Sequence, residues 1–195
     1  DIPLSKIIYE DNNVKVEAFH HHHVNLTNNY AYRFTTPDRV IVIGGDGTGD
    51  PALIEAARNA DVFIMEVNTE ADLMNAPWGG TTLAEKQAMI WQYHIKPREL
   101  ADIASKARVK RLVLYHVQNY SDPFDADTLL KEIKEIYPGE VSLARDADIY
   151  WDTRKDWATI LLRPESAPWE DFGRSQSFSA IVFHSPNRQW HRSVE

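Results

Sequence analysis

The sequence predicts a layered α/β domain. Strand patterns dominate the first 45 residues, strand-like and helix-like segments alternate from residue 40 to residue 151, and the composition is that of an ordinary globular chain: 195 residues, 43% hydrophobic and 26% charged.

Each element has its own warrant. Residues 4–9 (LSKIIY) and 14–19 (VKVEAF) flank the turn Glu10-Asp11-Asn12-Asn13 and read as a hairpin. Residues 30–34 and 40–43 form a second pair around Thr35-Thr36-Pro37-Asp38. At residues 51–58 (PALIEAAR) the apolar spacing becomes helical, with Asp50 placed to cap and Pro51 at the first helical position. A strand follows at 61–67, and residues 68–81, rich in Asn, Pro and Gly, form a loop that is a candidate to face substrate. Helices are expected at 83–91, 97–107 and 126–136, and strands at 111–115, 141–144 and 148–151. Beyond residue 151 the chain turns irregular: Trp157, Trp169 and Trp190 fall among Pro164, Pro168 and Pro186, with strand-like stretches at 158–162 and 180–183. We expect a domain over 1–151 and an aromatic-rich C-terminal extension over 152–195 packed on it.

Composition removes several function classes. With 29 acidic and 21 basic residues the net charge is −8, which argues against a broad phosphate-binding surface, so nucleic acid enters only as a substrate. There is no cysteine, so disulfides, thiolate nucleophiles and thiolate metal sites are all excluded. Any metal must rest on His, Asp or Glu, and four of the eight histidines lie in one run, His20 to His23. No apolar stretch approaches the roughly 20 residues of a membrane-spanning helix. The chain opens on Asp1 rather than Met, which suggests a trimmed N-terminus.

Three apolar strands end in metal-ligating residue types: VKVEAF runs into the histidines, VIVIGG into Asp46, and RLVLY into His116. In layered α/β folds ligands gather at the carboxyl ends of strands. Any one of these residues alone reads as surface polarity closing a strand. The coincidence of three favours a metal site.

The segments VEAFHHHHV, NYAYRFTTPDRVIVIGGD, ADVFIMEV, YHIKPRELADIASKARVKRLVLYH and GEVSLARDADIY occur in that order over residues 14–150. In order and spacing they resemble the downstream half of metallo-β-lactamase superfamily hydrolases, in particular the ribonuclease Z and arylsulfatase-like branch. The resemblance implies an αββα sandwich of which this chain is the C-terminal half. It implies His23, Asp46 and His116 as metal ligands, with Asp46 bridging two metals, and a centre of one or two Zn²⁺, with Mn²⁺ or Fe as alternatives. His94 corresponds to the histidine opening the family's H-x-[ST] helix start and would contact an anionic substrate or leaving group. Glu66 aligns with the acidic residue of a strand-ending HE, with Met65 in place of the histidine. Alternate residues of a strand share a face, so His21 and His23 are expected to point together and His20 and His22 away, with His21 or His22 touching the ligands or binding an additional metal, and Glu66 touching the ligands or serving the structure alone.

The implied activity is attack by a metal-bound hydroxide on an ester-like or electrophilic substrate: a phosphodiester, sulfate ester, lactone or small aromatic compound. Two departures bear on it. The family's first motif, H-x-H-x-D-H, does not occur in these 195 residues, and GGDGT replaces the usual SGDT. The missing motif implies a longer or cleaved parent, a separate chain carrying the first half, or a non-catalytic subunit or interaction protein in which the ligand set has decayed. The first two are favoured. A homo-oligomer is compatible with the sequence. The resemblance is closest to an exported, periplasmic branch of the superfamily, so a periplasmic or secreted location is expected, with the cytoplasm as the alternative.

GGDGT also resembles the phosphate loop of NAD and diacylglycerol kinases, a five-residue match that leaves the histidine endings unexplained. His184 and His191, in the extension, are expected to be packed or exposed rather than ligating.

Overall fold

The structure, a computed structural model, describes residues 5–70, 73–118, 120, 124–145, 148–151 and 159–161. It divides into two compact units, Asp1–Leu143 and Ala144–Glu195.

The first unit is built on one sheet of seven strands in sequence order: β1 (Ser5–Glu10), β2 (Lys15–His20), β3 (Tyr30–Thr35), β4 (Val40–Ile43), β5 (Val62–Asn68), β6 (Arg111–Gln118) and β7 (Glu140–Leu143). The first four pair antiparallel and the last four parallel. Parallel pairing requires crossovers, which the helices α1 (Pro51–Ala57), α2 (Leu83–Ile90), α3 (Pro97–Lys106) and α4 (Ala126–Lys134) supply. Two antiparallel steps restore direction, so β2 points the same way as β4, β5 and β6. All four strands therefore end on one side of the sheet.

Helix starts follow local chemistry. Asp50 caps α1 by accepting from the Ala52 amide at 2.8 Å, and Thr82 and Glu85 form a reciprocal capping box on α2. Asn59 (φ 54°) and Arg108 (φ 57°) adopt the left-handed conformation just past α1 and α3, a common way to stop a helix. Arg33 of β3 donates to the Ala56 and Arg58 carbonyls at 2.7 and 2.9 Å, satisfying the end of α1.

The main core joins Val42, Phe63, Met65, Leu112 and Leu114 of the sheet to Leu53, Leu100, Leu129, Ile133 and Tyr137. Ile41, Ile64 and Val113, which alternate with that set, are buried too, as expected of central parallel strands. In the loop after β5, a short 3-10 turn at Leu73–Asn75 precedes α2. The buried Lys86 donates its ammonium to the Ala76 carbonyl and, at 2.8 Å, to that of Trp78, clipping the loop to α2.

In the second unit, β8 (Ile149–Trp151) and β9 (Thr159–Leu161) pair antiparallel. The expected strand at 180–183, the tryptophans 157, 169 and 190, and His184 and His191 lie outside the described residues. Among the described residues no helix is long and apolar enough to cross a membrane.

Candidate metal centre

The common end of β2, β4, β5 and β6 gathers His23, Asp46, Glu66, His94 and His116. Asp46 lies in the loop after β4, and its Oδ2 is 3.4 Å from His116 Nε2. Burial opposes charge on Asp46, but the His116 hydrogen bond and the fields of His116, His94 and His23 outweigh it and hold the carboxyl below its ordinary range. His116 is shifted upward in turn, by its hydrogen bond to Asp46, with burial opposing.

β6 runs past the expected end at residue 115 to Gln118, and it carries a bulge on the way. Glu66 pairs with Tyr115 but Asn68 pairs with Gln118, so β6 spends one residue more than β5. His116 lies in that extra step with φ at +47°, left-handed backbone that a non-glycine residue rarely adopts. The bulge re-aims its ring.

The histidine run departs from simple alternation, because the strand stops at His20 and Val24 takes φ +48°, a costly value for a β-branched residue. His21 is fully buried, and burial pushes its pKa down to about 4. The Asn29 amide nitrogen lies 3.2 Å from His21 Nε2 and donates to the Asp46 carbonyl at 2.9 Å. The His22 ring is exposed, while its backbone N–H donates to Asp50 at 3.2 Å and its carbonyl accepts from Thr48 at 3.0 Å. His20 Nε2 is 3.2 Å from the Thr27 carbonyl. His23 turns elsewhere: the Val24 amide donates to the Gln92 carbonyl at 3.2 Å, which sets the His23 ring 5.6 Å from Tyr93 and 6.4 Å from His94, centre to centre. His21 and His23 thus contact different partners. Burial lowers the pKa of His23, and its Nδ1 is buried with no hydrogen-bond partner among the described residues.

Glu66 is fully buried and is met by three donors or potential donors: His94 Nδ1 at 3.0 Å, the Ile95 amide at 3.1 Å and the Gly47 amide at 3.3 Å. Burial raises its pKa against the pull of those bonds. With Glu66 ionised, His94 Nδ1 carries the proton and donates, which turns Nε2 away from Glu66. The His94 ring centre lies 6.0 Å from that of His116 and 6.4 Å from that of His23, so His94 neighbours both.

The GGDGT loop is closed on itself. The amides of Gly44, Gly47 and Thr48 donate to Ile64 O, Glu66 and His22 O, and a Cβ at Gly47 would lie 2.6 Å from the His21 ring. Those amides are turned inward, so the loop is not an open phosphate cradle. Tyr115 fixes its start by donating to the Gly44 carbonyl at 2.9 Å. Asn29 and Tyr115 were not singled out from sequence: both fall inside segments that carry the resemblance, but one reads as loop polarity and the other as a strand residue. Among the described residues no three His, Asp or Glu side chains are gathered closely enough to hold a metal ion.

Compared with solved structures, the chain matches the metallo-β-lactamase fold protein YhfI from Bacillus subtilis with TM-score 0.54 and 25% identity, over 72% of this chain and 50% of that one. The short form of human tRNase Z shares the fold at TM-score 0.50 and 22% identity, over 73% of this chain and 45% of that one. The chain has the metallo-β-lactamase fold. Among curated relatives, it is 34% identical over 110 residues to ribonuclease Z of Myxococcus xanthus and 33% identical over 110 residues to ribonuclease BN of Enterobacter sp. strain 638. In both cases the match covers 56% of this chain and 32% of the relative, so the chain spans about a third of their length. No family model matches.

Proposed function

We propose that this chain contributes His23, Asp46 and His116 to the metal centre of a hydrolase that cleaves phosphodiesters. The observation that carries the reading is the approach of His116 to Asp46 at 3.4 Å, made by a bulge that holds His116 in left-handed backbone. Strain of this kind persists only where surrounding structure imposes it, and it concentrates at functional sites. In chemical type these donors suit a divalent cation: a carboxylate, a histidine beside it, and a second histidine with an unpaired buried nitrogen, which must draw closer to share one ion. Zn²⁺ suits these ligands best, with Mn²⁺ and Fe as alternatives, and one or two ions are compatible with a bridging Asp46. The choice of phosphodiester rests on the relatives named ribonuclease. The remaining ligands would come from a segment or chain carrying H-x-H-x-D-H.

A bound cation would supply Lewis-acid stabilisation and an activated water. The chain's own residues do the positioning. Glu66 accepts from His94 Nδ1, fixing the ring so that Nε2–H of the protonated form can give its proton to the leaving oxygen. Asn29 holds the Asp46 backbone, and Tyr115 and Gly47 hold the loop that carries it.

A second reading has its own support. Since no three ligating side chains converge among the described residues, a non-catalytic subunit or interaction protein of the same fold is the alternative. Metal analysis after dialysis against Zn²⁺, paired with hydrolysis of bis(p-nitrophenyl) phosphate, both on the chain complemented by a segment carrying H-x-H-x-D-H, separates the two. The enzyme reading expects at least one metal per chain and a turnover that His116→Ala abolishes. Well under one metal per chain, with turnover indifferent to that substitution, leaves the non-catalytic reading.

A further inference from the structure

β1 is the outermost strand of the seven-stranded sheet, paired on one side with β2 and on the other with no strand among the described residues. All six of its residues, Ser5–Glu10, are exposed, and its three apolar ones stand half open to solvent: Ile7 at 50%, Ile8 at 52% and Tyr9 at 53%. The ladder to β2 slips at Ile8. Ile7 is opposite Glu17 and Tyr9 opposite Val16, which leaves Ile8 with no residue across from it. An unpaired row of backbone N–H and C=O groups beside exposed apolar side chains is a template for another strand.

Proteins usually guard such an edge with charge, and β1 carries one charge towards each end, Lys6 and Glu10. Their placement makes the edge complementary to itself. When SKIIYE is laid antiparallel to a second SKIIYE about Ile8, Lys6 faces Glu10, Ile7 faces Tyr9 and Ile8 faces Ile8. A slip of one residue sets Lys6 against Tyr9 in one direction and Ile7 against Glu10 in the other, so only the centred register opposes unlike charges and keeps each apolar residue against another. We propose that β1 is a homotypic docking edge, through which two copies of this chain join by antiparallel β1–β1 pairing about a two-fold axis at Ile8. A two-fold interface requires such self-complementarity, because every contact occurs twice. The main-chain ladder supplies affinity and the side-chain pairs supply register. Ser5 lies opposite Phe19, at the metal-centre end of β2, and antiparallel pairing sends the second copy's Ser5 the other way, so the two centres lie at opposite ends of the joint sheet. The short strand and its bulge keep the contact small, which makes the association weak and concentration-dependent. It uses no residue of the metal centre and stands or falls independently of the hydrolase reading.

Sedimentation velocity of the metal-free full chain reads the association directly, at loading concentrations from about 10 to about 500 µM, the range suited to a small interface. The parent is expected to pass from monomer to dimer across that range. Lys6→Glu places two carboxylates across each end of the pairing, and Glu10→Lys places two ammonium groups there. Each variant alone is expected to self-associate at least about tenfold more weakly. An equimolar mixture of the two restores both unlike pairs and is expected to dimerise as the parent does. Both positions are exposed, so urea midpoints of the two variants are expected to match the parent. Ile8→Lys, which puts a charge on the axis, is expected to stay monomeric. A parent that is monomeric throughout overturns the proposal. So does a dimer indifferent to the single swaps, which puts the contact elsewhere, or a loss that mixing fails to restore, which denies the register. Dissociation of the parent dimer by an added segment carrying H-x-H-x-D-H overturns it too and makes the edge that segment's site.

Discussion

Glu66 and His94, far apart in sequence, meet at 3.0 Å where neither side chain is open to solvent, and the same carboxylate also accepts from the amides of Ile95 and Gly47. One side chain thereby ties the Asp46 loop to the segment entering α3. Glu66→Ala leaves three groups without their acceptor and is expected to cost about 2–4 kcal/mol in urea unfolding, given about 1–3 kcal/mol for each unsatisfied buried group and partial relaxation. Glu66→Gln keeps the shape and is expected to stay closer to the parent in stability while lowering turnover of bis(p-nitrophenyl) phosphate by about 10–100-fold. Equal stability of the alanine variant and the parent would sink the account of Glu66 as the joint.

Glycines 45 and 47 make a matched pair. A Cβ at Gly47 would sit 2.6 Å from the His21 ring and 2.7 Å from the His22 carbonyl, whereas at Gly45 the nearest atom is 3.5 Å away. Gly47→Ala is expected to destabilise by about 1–3 kcal/mol, the usual cost of overpacking, and Gly45→Ala to be near neutral. Thermal unfolding of the two variants side by side checks this, and similar losses at both positions would count against it.

His116 offers an inverted comparison. At φ +47°, glycine relieves strain that alanine retains, so metal-free His116→Gly is expected to exceed His116→Ala in stability by about 1 kcal/mol. Both are expected to lose any Zn²⁺-induced rise in Tm. The reverse order of stability would mean that the backbone at His116 relaxes once its ring is gone.

Burial of His21 makes the metal-free fold sensitive to acid. Its folded pKa of about 4 lies below the ordinary 6.5 of the unfolded chain, so between those values the unfolded state binds the proton first. Stability is therefore expected to fall as pH drops from about 6.5 towards 4, and His21→Gln to flatten that part of the profile. Urea midpoints at several pH values decide it; identical slopes in parent and variant would remove His21 as the cause.

Much of the sheet was readable because its central strands are Val, Ile and Leu runs bounded by turn residues, and α1 because Asp50 and Pro51 mark its start. Residue 115 looked like the end of β6 because nothing in RLVLYHVQ announces a bulge; the extra residue is visible only in the register against β5. The histidine run resisted its period-2 reading for a related reason: pairing with β3 stops at His20, and past the last ladder bond each ring follows its own loop contacts. Asp46, His94 and His116 stood out as motif residues. Asn29 and Glu66's two amide donors owe their importance to neighbours distant in sequence, which no local pattern encodes.

The shared direction of β2, β4, β5 and β6 also bears on the order of assembly. The meander β1–β4 closes through short turns, but β5 and β6 must be carried back by long crossovers before their ends lie beside it. Loop closure of that kind is slow, so the meander is expected to form first. The Asp46–His116 approach then waits on β5–β6 docking, so it is expected to form after the meander rather than with it.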